Sequence, residues 1–236
     1  MFAGPNGSGK STMIGQFLKQ KSKDILGIYI NADDIEKHIR ENGIFEFKDY
    51  DIVISKEEIL KYFYTSELLI KEDLIDSISL LDIDDNIVLF EEKTINSYFA
   101  SVLVYIVRHE LLKQKKDFTF ETVMSSKDKV EFLNKAQMCG FKTYLYYIAT
   151  DDPIININRV KNRHALGGHF VSSEKIESRY VRSLAFLKSA IKLSNRAYIF
   201  DNSSEKAELI AEIENKELEF KVNQVPYWFM HAIGQA

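Results

Sequence analysis

Gly4-Pro5-Asn6-Gly7-Ser8-Gly9-Lys10-Ser11 satisfies the pattern G-x-x-x-x-G-K-S/T at every specified position, almost at the first residue of the chain. Residues of these types at this spacing bind a nucleoside triphosphate. Gly4, Gly7 and Gly9 let the backbone turn its N–H groups inward. Lys10 reaches the β- and γ-phosphates, the Ser11 hydroxyl ligates Mg²⁺, and a helix opening at Lys10 offers the positive end of its dipole. The expected cradle is Gly4, Pro5, Asn6, Gly7, Ser8, Gly9, Lys10, Ser11 and Thr12, with ATP and Mg²⁺ as cofactors.

Moving a phosphoryl group also needs a group that deprotonates or orients the attacking hydroxyl and cations that neutralise the charge spreading over the transferred group. Asn31-Ala32-Asp33-Asp34 follows an apolar strand pattern and opens a helix through Ile35 and Ile39. At the carboxyl edge of a sheet Asp33 is placed to accept a proton, while Asp33 or Asn31 equally reads as a helix cap; the two roles can coexist. Glu121-Thr122 closes a later strand, where Glu121 could hold Mg²⁺ through water or, with Thr122, bind substrate. Arg159 and Arg163 are i,i+4 on one helical face, so their guanidinium groups can converge on a phosphate, and Gly167-Gly168 supplies a hinge beside them. His169 adjoins those glycines as a substrate contact. Lys175, Arg179 and Arg182 share a face of the next helix and read first as a solvated basic face. Asp201-Asn202-Ser203 ends the last parallel strand, a turn sequence that makes Asn202 a candidate contact for adenine.

These residues need a scaffold, and the pattern of apolar residues supplies an α/β one. Strands are expected at Ile25–Ile30, Phe118–Glu121, Thr143–Ile148 and Ala197–Phe200. Helices are expected from Lys10 to about Lys21, Asn96 to Lys115, Lys127 to Cys139 with Ser126 as cap and Gly140 as stop, Pro153 to His164, and Ser173 to Leu193. Strands alternating with helices imply a parallel sheet with helices on both faces, the P-loop NTPase architecture, as a single domain over residues 1–236. Residues 42–94 break the alternation and read as a helical insertion, with Ser55-Lys56-Glu57-Glu58 as a capping box and Asp82-Ile83-Asp84-Asp85-Asn86 as a solvated acidic turn. A C-terminal extension over 205–236 contains a hairpin about Asn215-Lys216, then Trp228 and Phe229 as a packed anchor. Only Met1-Phe2-Ala3 precede the loop, fewer than a strand of about five residues, so the natural start is expected upstream.

Bulk properties narrow the substrate. The chain has 236 residues and a formal charge of −4, with a pI near 5.8, which gives no global electrostatic reason to bind nucleic acid. The single cysteine, Cys139, excludes an intramolecular disulfide framework. No run of about 18 apolar residues and no leader pattern appear, so a cytoplasmic protein off the membrane is expected.

The ordered set Phe2-Ala3-Gly4 through Thr12, Asn31-Ala32-Asp33, Phe120-Glu121-Thr122, Arg159-Val160 with Arg163 and Gly167-Gly168-His169, Arg179-Tyr180 with Arg182-Ser183-Leu184, and Asp201-Asn202-Ser203 resembles the zeta-toxin family of P-loop kinases, in its compact branch of predicted kinases and ATPases. The resemblance implies an adenylate-kinase-like core in which ATP·Mg²⁺ donates its γ-phosphate to a sugar hydroxyl. Better-known members phosphorylate UDP-N-acetylglucosamine and are restrained by a small separate antitoxin. By position, Asp33 matches the hydroxyl-activating aspartate, Lys10 the phosphate-loop lysine, Glu121 the substrate- or metal-side glutamate, and Arg159 and Arg163 the neutralising arginines. The chain departs from the branch at His164 and at Val171-Ser172-Ser173. A small-molecule kinase is the leading expectation. The alternatives are a nucleotide-dependent protein-binding ATPase module and a nucleic-acid 5′-hydroxyl kinase using Lys175, Arg179 and Arg182.

Overall fold

A computed structural model describes residues 1–19, 26–92, 95–168 and 170–234. In chain order the elements are β1 (Phe2–Ala3), α1 (Lys10–Lys19), β2 (Ile28–Ile30), α2 (Ala32–Asn42), β3 (Ile44–Glu46), α3 (Lys56–Tyr64), α4 (Glu67–Lys71), β4 (Asp82–Asp84), β5 (Ile87–Leu89), α5 (Ser97–Lys113) and β6 (Phe118–Thr122). They continue with α6 (Lys127–Met138), β7 (Tyr144–Ala149), α7 (Pro153–Ala165), α8 (Ser173–Lys192), β8 (Arg196–Asp201), β9 (Glu208–Glu214), β10 (Glu217–Phe220) and α9 (Tyr227–Gly234), with 3₁₀ turns at Phe47–Tyr50 and Asp76–Leu80. The chain divides into two compact units, Met1–Ile25 with Phe120–Ala236, and Leu26–Thr119.

The first unit is built on a mostly parallel sheet. β1 pairs in parallel with β6 on one side and β7 on the other, placing Phe2 beside Glu121 and Tyr146. β7 pairs in parallel with β8, and β9 and β10 complete the sheet antiparallel. β1 has two residues, Phe2 and Ala3, both almost wholly buried, and the ladder continues on either side of them: the Tyr146 N–H donates to Met1 O at 2.9 Å and the Gly4 N–H to Thr122 O at 3.3 Å. α7 begins where Asp152 caps it, Oδ1 accepting from the Ile154 N–H at 2.7 Å, with Pro153 in the first turn where no N–H is needed. The hairpin lies where expected. Asn215 and Lys216 both have positive φ, as a two-residue turn between right-twisted strands requires. Trp228 and Phe229 are buried, and the Trp228 indole N–H donates to Asp201 Oδ2 at 2.6 Å.

The second unit holds β2, α2 and the whole insertion. α2 is capped by Asn31, buries Ile35 and Ile39, and ends at Gly43 in the left-handed conformation. Ser55 caps α3, its Oγ accepting from the Glu58 N–H at 3.3 Å, while the reciprocal bond of a capping box is absent among the described residues. The insertion is more than helical: besides α3 and α4 it contains an antiparallel sheet in the order β3-β5-β4. The acidic stretch at 82–86 is a hairpin whose turn residues do structural work. Asn86 Oδ1 accepts from the Ile54 N–H at 3.2 Å and Asp85 Oδ1 from the Lys56 N–H at 3.0 Å. Most of α5 is buried, including Phe99, Leu103 and Val107, and Phe63 of α3 meets Phe99 edge to face.

Candidate active site

The phosphate loop is where the chain turns off the end of β1. Gly4 has φ 142°, and a Cβ there would lie 1.9 Å from Ile148 O of β7, so no other residue fits. Gly7 has φ 74°, and its missing Cβ leaves room for Asn156 O of α7, which would lie 2.6 Å away. Lys10 is buried at the opening of α1, and its Nζ donates to Gly4 O and Pro5 O, each at 2.8 Å. Ser11 Oγ donates to Glu121 Oε2 at 2.9 Å, and Thr12 is exposed in the same turn. Parallel pairing of β1 with β6 explains that meeting, since it sets Phe2 level with Glu121. Among the described residues the Gly7 and Gly9 N–H groups have no acceptor, and the fully buried Ser8 hydroxyl has no hydrogen-bond partner.

Two asparagines hold the loop. Asn156, fully buried on α7, donates from Nδ2 to Asn6 O at 2.6 Å, while its Oδ1 accepts from the Thr150 hydroxyl at the end of β7. Thr150 is held in turn by Tyr180 of α8, whose hydroxyl donates to Thr150 O at 2.6 Å; burial raises the Tyr180 pKa and keeps that proton in place. The Asn202 Nδ2 donates to Ser8 O at 2.7 Å. Asn202's own carbonyl accepts from Arg159 at 2.8 Å, and Ser204 O accepts from the same guanidinium at 3.2 Å.

The two arginines of α7 therefore part company. Arg159 is turned onto carbonyls of the loop after β8, whereas Arg163 is exposed and its guanidinium has no partner among the described residues. The Arg163 stem lies against Gly168, where an added Cβ would stand 2.7 Å from Arg163 Cγ. His164 Nδ1 meets Gly168 O at 3.0 Å, and its ring packs on Phe170 with centroids 5.2 Å apart. His169 lies outside the described residues. On α8, Arg179 is half-buried, while Lys175 and Arg182 are exposed and Arg182 Nε donates back to Ser178 O at 3.3 Å. Thr122 Oγ1 accepts from the Met124 N–H at 3.0 Å and shapes the turn leaving β6. Ser126 occupies the capping position of α6 without capping; its hydroxyl donates to Asp128 Oδ1 instead.

In the second unit, Asn31 is the cap of α2, its Oδ1 accepting from the Asp33 N–H at 2.9 Å. The Asp33 carboxylate is exposed in the first turn, with no hydrogen bond or ion pair among the described residues. Partial burial raises the pKa of the neighbouring Asp34; the Asp33 charge adds to this and Lys37 opposes it.

Residues 91–219, more than half of the chain, match the family model described as Zeta toxin. The chain belongs to the zeta toxin family. The matched span takes in Glu121, Asn156, Arg159, Arg163 and Asn202, while the phosphate loop precedes it. An uncharacterized protein of Haemophilus influenzae is 32% identical over 72 residues, 30% of this chain and 51% of its own; the chain thus spans about half the length of that relative. Among solved structures, the AvrRxo1-ORF1:-ORF2 complex gives a TM-score of 0.61 at 12% identity, covering 98% of this chain and 62% of that one. The same complex with ATP gives 0.59 at 13% identity, covering 93% and 60%. The PezAT chromosomal toxin–antitoxin system of Streptococcus pneumoniae gives 0.50 at 14%, covering 100% and 78%. At such identities the likeness is one of fold. No helix of the described residues is long and apolar enough to cross a membrane.

Sequence reasoning had no reason to single out Asn156 or Thr150. One signal was present: Asn156 stands three residues before Arg159 and four before the buried Val160, a polar side chain on the inward face of an amphipathic helix.

Proposed function

We propose that this member of the zeta toxin family transfers the γ-phosphate of ATP to a hydroxyl of a small molecule, with a UDP-sugar such as UDP-N-acetylglucosamine as the first acceptor to try. The observation that carries the reading is the loop itself: Gly7 and Gly9 N–H groups and a buried Ser8 hydroxyl without partners among the described residues, and Lys10 ahead of a Ser11–Glu121 pair. Each is a group a triphosphate or its metal would satisfy.

Ser11 Oγ and Glu121 Oε2, 2.9 Å apart, are hard oxygen donors of the kind Mg²⁺ takes alongside phosphate and water. Ser11 and Glu121 would hold the ion there, and it would supply charge neutralisation to the phosphates. Lys10 moves its ammonium from the Gly4 and Pro5 carbonyls to the phosphates. Arg163, without a partner among the described residues, neutralises the transferring phosphoryl, while Arg159 fixes the loop that holds Asn202. Asp33 accepts the acceptor's hydroxyl proton; because Asn31 does the capping, its carboxylate is left for that role. Glu121, Thr122, Arg179 and His169 are proposed on the acceptor side, and a separate antitoxin protein as partner, in keeping with the family.

The test is ATP consumption by the purified chain with Mg²⁺, alone and with a panel of UDP-sugars, nucleosides and oligonucleotides, beside Asp33→Ala. Turnover that needs one acceptor and disappears in the variant supports the kinase. Slow hydrolysis indifferent to every acceptor and to Asp33 would favour a nucleotide-dependent binding module.

A further inference from the structure

The loop's two free N–H groups and its two asparagine contacts belong to the same peptide units. Asn156 binds the carbonyl of Asn6, whose peptide partner is the Gly7 N–H; Asn202 binds the carbonyl of Ser8, whose peptide partner is the Gly9 N–H. In a planar trans peptide the C=O and the following N–H point in opposite directions. A side chain that pins the carbonyl outward therefore aims the N–H inward. Gly7 and Gly9 cannot set that direction themselves, since glycine offers the backbone the widest choice of φ and ψ.

From this we propose that Asn156 and Asn202 are positioning residues for the nucleotide loop: they act through the Asn6 and Ser8 carbonyls to hold the Gly7 and Gly9 N–H groups toward a bound β/γ-phosphate. The proposal rests on the reading of the loop as a triphosphate cradle and adds the residues that keep it in shape. The orientation of each amide follows from its partner, because a backbone carbonyl only accepts and must face Nδ2. For Asn156 the other side of the amide is settled too, since Oδ1 is occupied by the Thr150 hydroxyl, and Thr150 is anchored by Tyr180.

Both contacts trace to one helix face. Asn156 touches the loop directly, and Arg159, one turn further along α7, reaches it through the Asn202 carbonyl. Close packing enforces the arrangement. A Cβ at Gly7 would sit 2.6 Å from Asn156 O, and one at Gly9 would sit 2.2 Å from Asn202 Nδ2. The loop glycines thus also make room for the two asparagines.

The experiment compares ATP and AMP binding to the full chain, wild type, Asn156→Asp and Asn202→Ala, by calorimetry and by the emission of Trp228. That is the single tryptophan, and its indole is bonded to Asp201 beside Asn202. AMP lacks the phosphates the cradle holds, so general loosening weakens both ligands alike whereas loss of N–H aim weakens ATP selectively. Losing a buried hydrogen-bond donor is expected to weaken ATP about tenfold or more, with AMP affinity changed less than about threefold. A wild type that prefers ATP, with variants keeping the same ATP-to-AMP ratio, overturns the positioning role alone. A wild type without preference for ATP overturns the cradle reading and the positioning role with it. Should Asn156→Asp not fold, Asn202→Ala, whose site is only half-buried, decides the matter by the same ratio.

Discussion

Arg159 and Arg163 look equivalent in sequence and are not equivalent in the fold, and that difference sets what their removal should do. The Arg163 guanidinium has no partner among the described residues, and a cation on a transferring phosphoryl is worth roughly 10³ or more in rate. Arg163→Ala should therefore lose about a thousandfold in kcat with ATP affinity nearly intact, measured by single-turnover transfer and equilibrium binding. A variant with near-normal kcat would remove Arg163 from the chemistry. Asp33→Asn should likewise abolish transfer while leaving ATP affinity unchanged; persisting turnover would exclude Asp33 as the base. Glu121→Gln should raise the Mg²⁺ concentration needed for half-maximal turnover, since it weakens one of the two oxygen donors proposed to hold the metal. At this scale the loop, Ser11 and Glu121 were legible because motif and strand end are local patterns. Asn156 was not, because a hydrogen bond to a residue 150 positions away leaves no trace in spacing.

Elements were legible where their ends carry chemistry. Asn96 before α5, Asp152-Pro153 before α7, Gly140 after α6 and Asn215-Lys216 between β9 and β10 all lie where capping and turn rules put them. The small sheet β3-β5-β4 was missed because each strand has three residues, too few to show alternation against a background of helical spacing. Ser126 is instructive in a different way: the residue type and position suit a cap, yet Asp128 two residues on takes its hydroxyl. For α2 the cap does more than end a helix, because it orients the turn that carries Asp33. Asn31→Ala should cost about 1 kcal/mol in denaturant unfolding, whereas Asn31→Ser keeps an acceptor for the Asp33 N–H and should recover most of it. Equal stability of all three proteins would mean the bond at Asn31 contributes nothing net.

Over the whole molecule, buried tyrosine hydroxyls link stability to alkaline pH. Tyr147 and Tyr180 in the first unit have pKa values raised chiefly by burial, and Tyr146 and Tyr198 shift the same way for the same first reason. In the second unit burial pushes Tyr50 up to about 12, and burial together with the bond to Glu110 does the same for Tyr62. An unfolded tyrosine ionises near pH 10, at roughly its free value. Between that pH and the folded values the unfolded chain holds fewer protons than the folded one, so unfolding becomes more favourable as pH rises. Stability from these hydroxyls is complete below about pH 10 and is lost as pH climbs toward about 12. Thermal melts from pH 8 to pH 11.5 should show a falling midpoint that begins near pH 10. Tyr180→Phe should lower the plateau, because it removes the bond to Thr150 O, and should shallow the decline, because one shifted hydroxyl is gone. A melting temperature that does not move between pH 8 and pH 11.5 would show that these hydroxyls do not link proton release to unfolding.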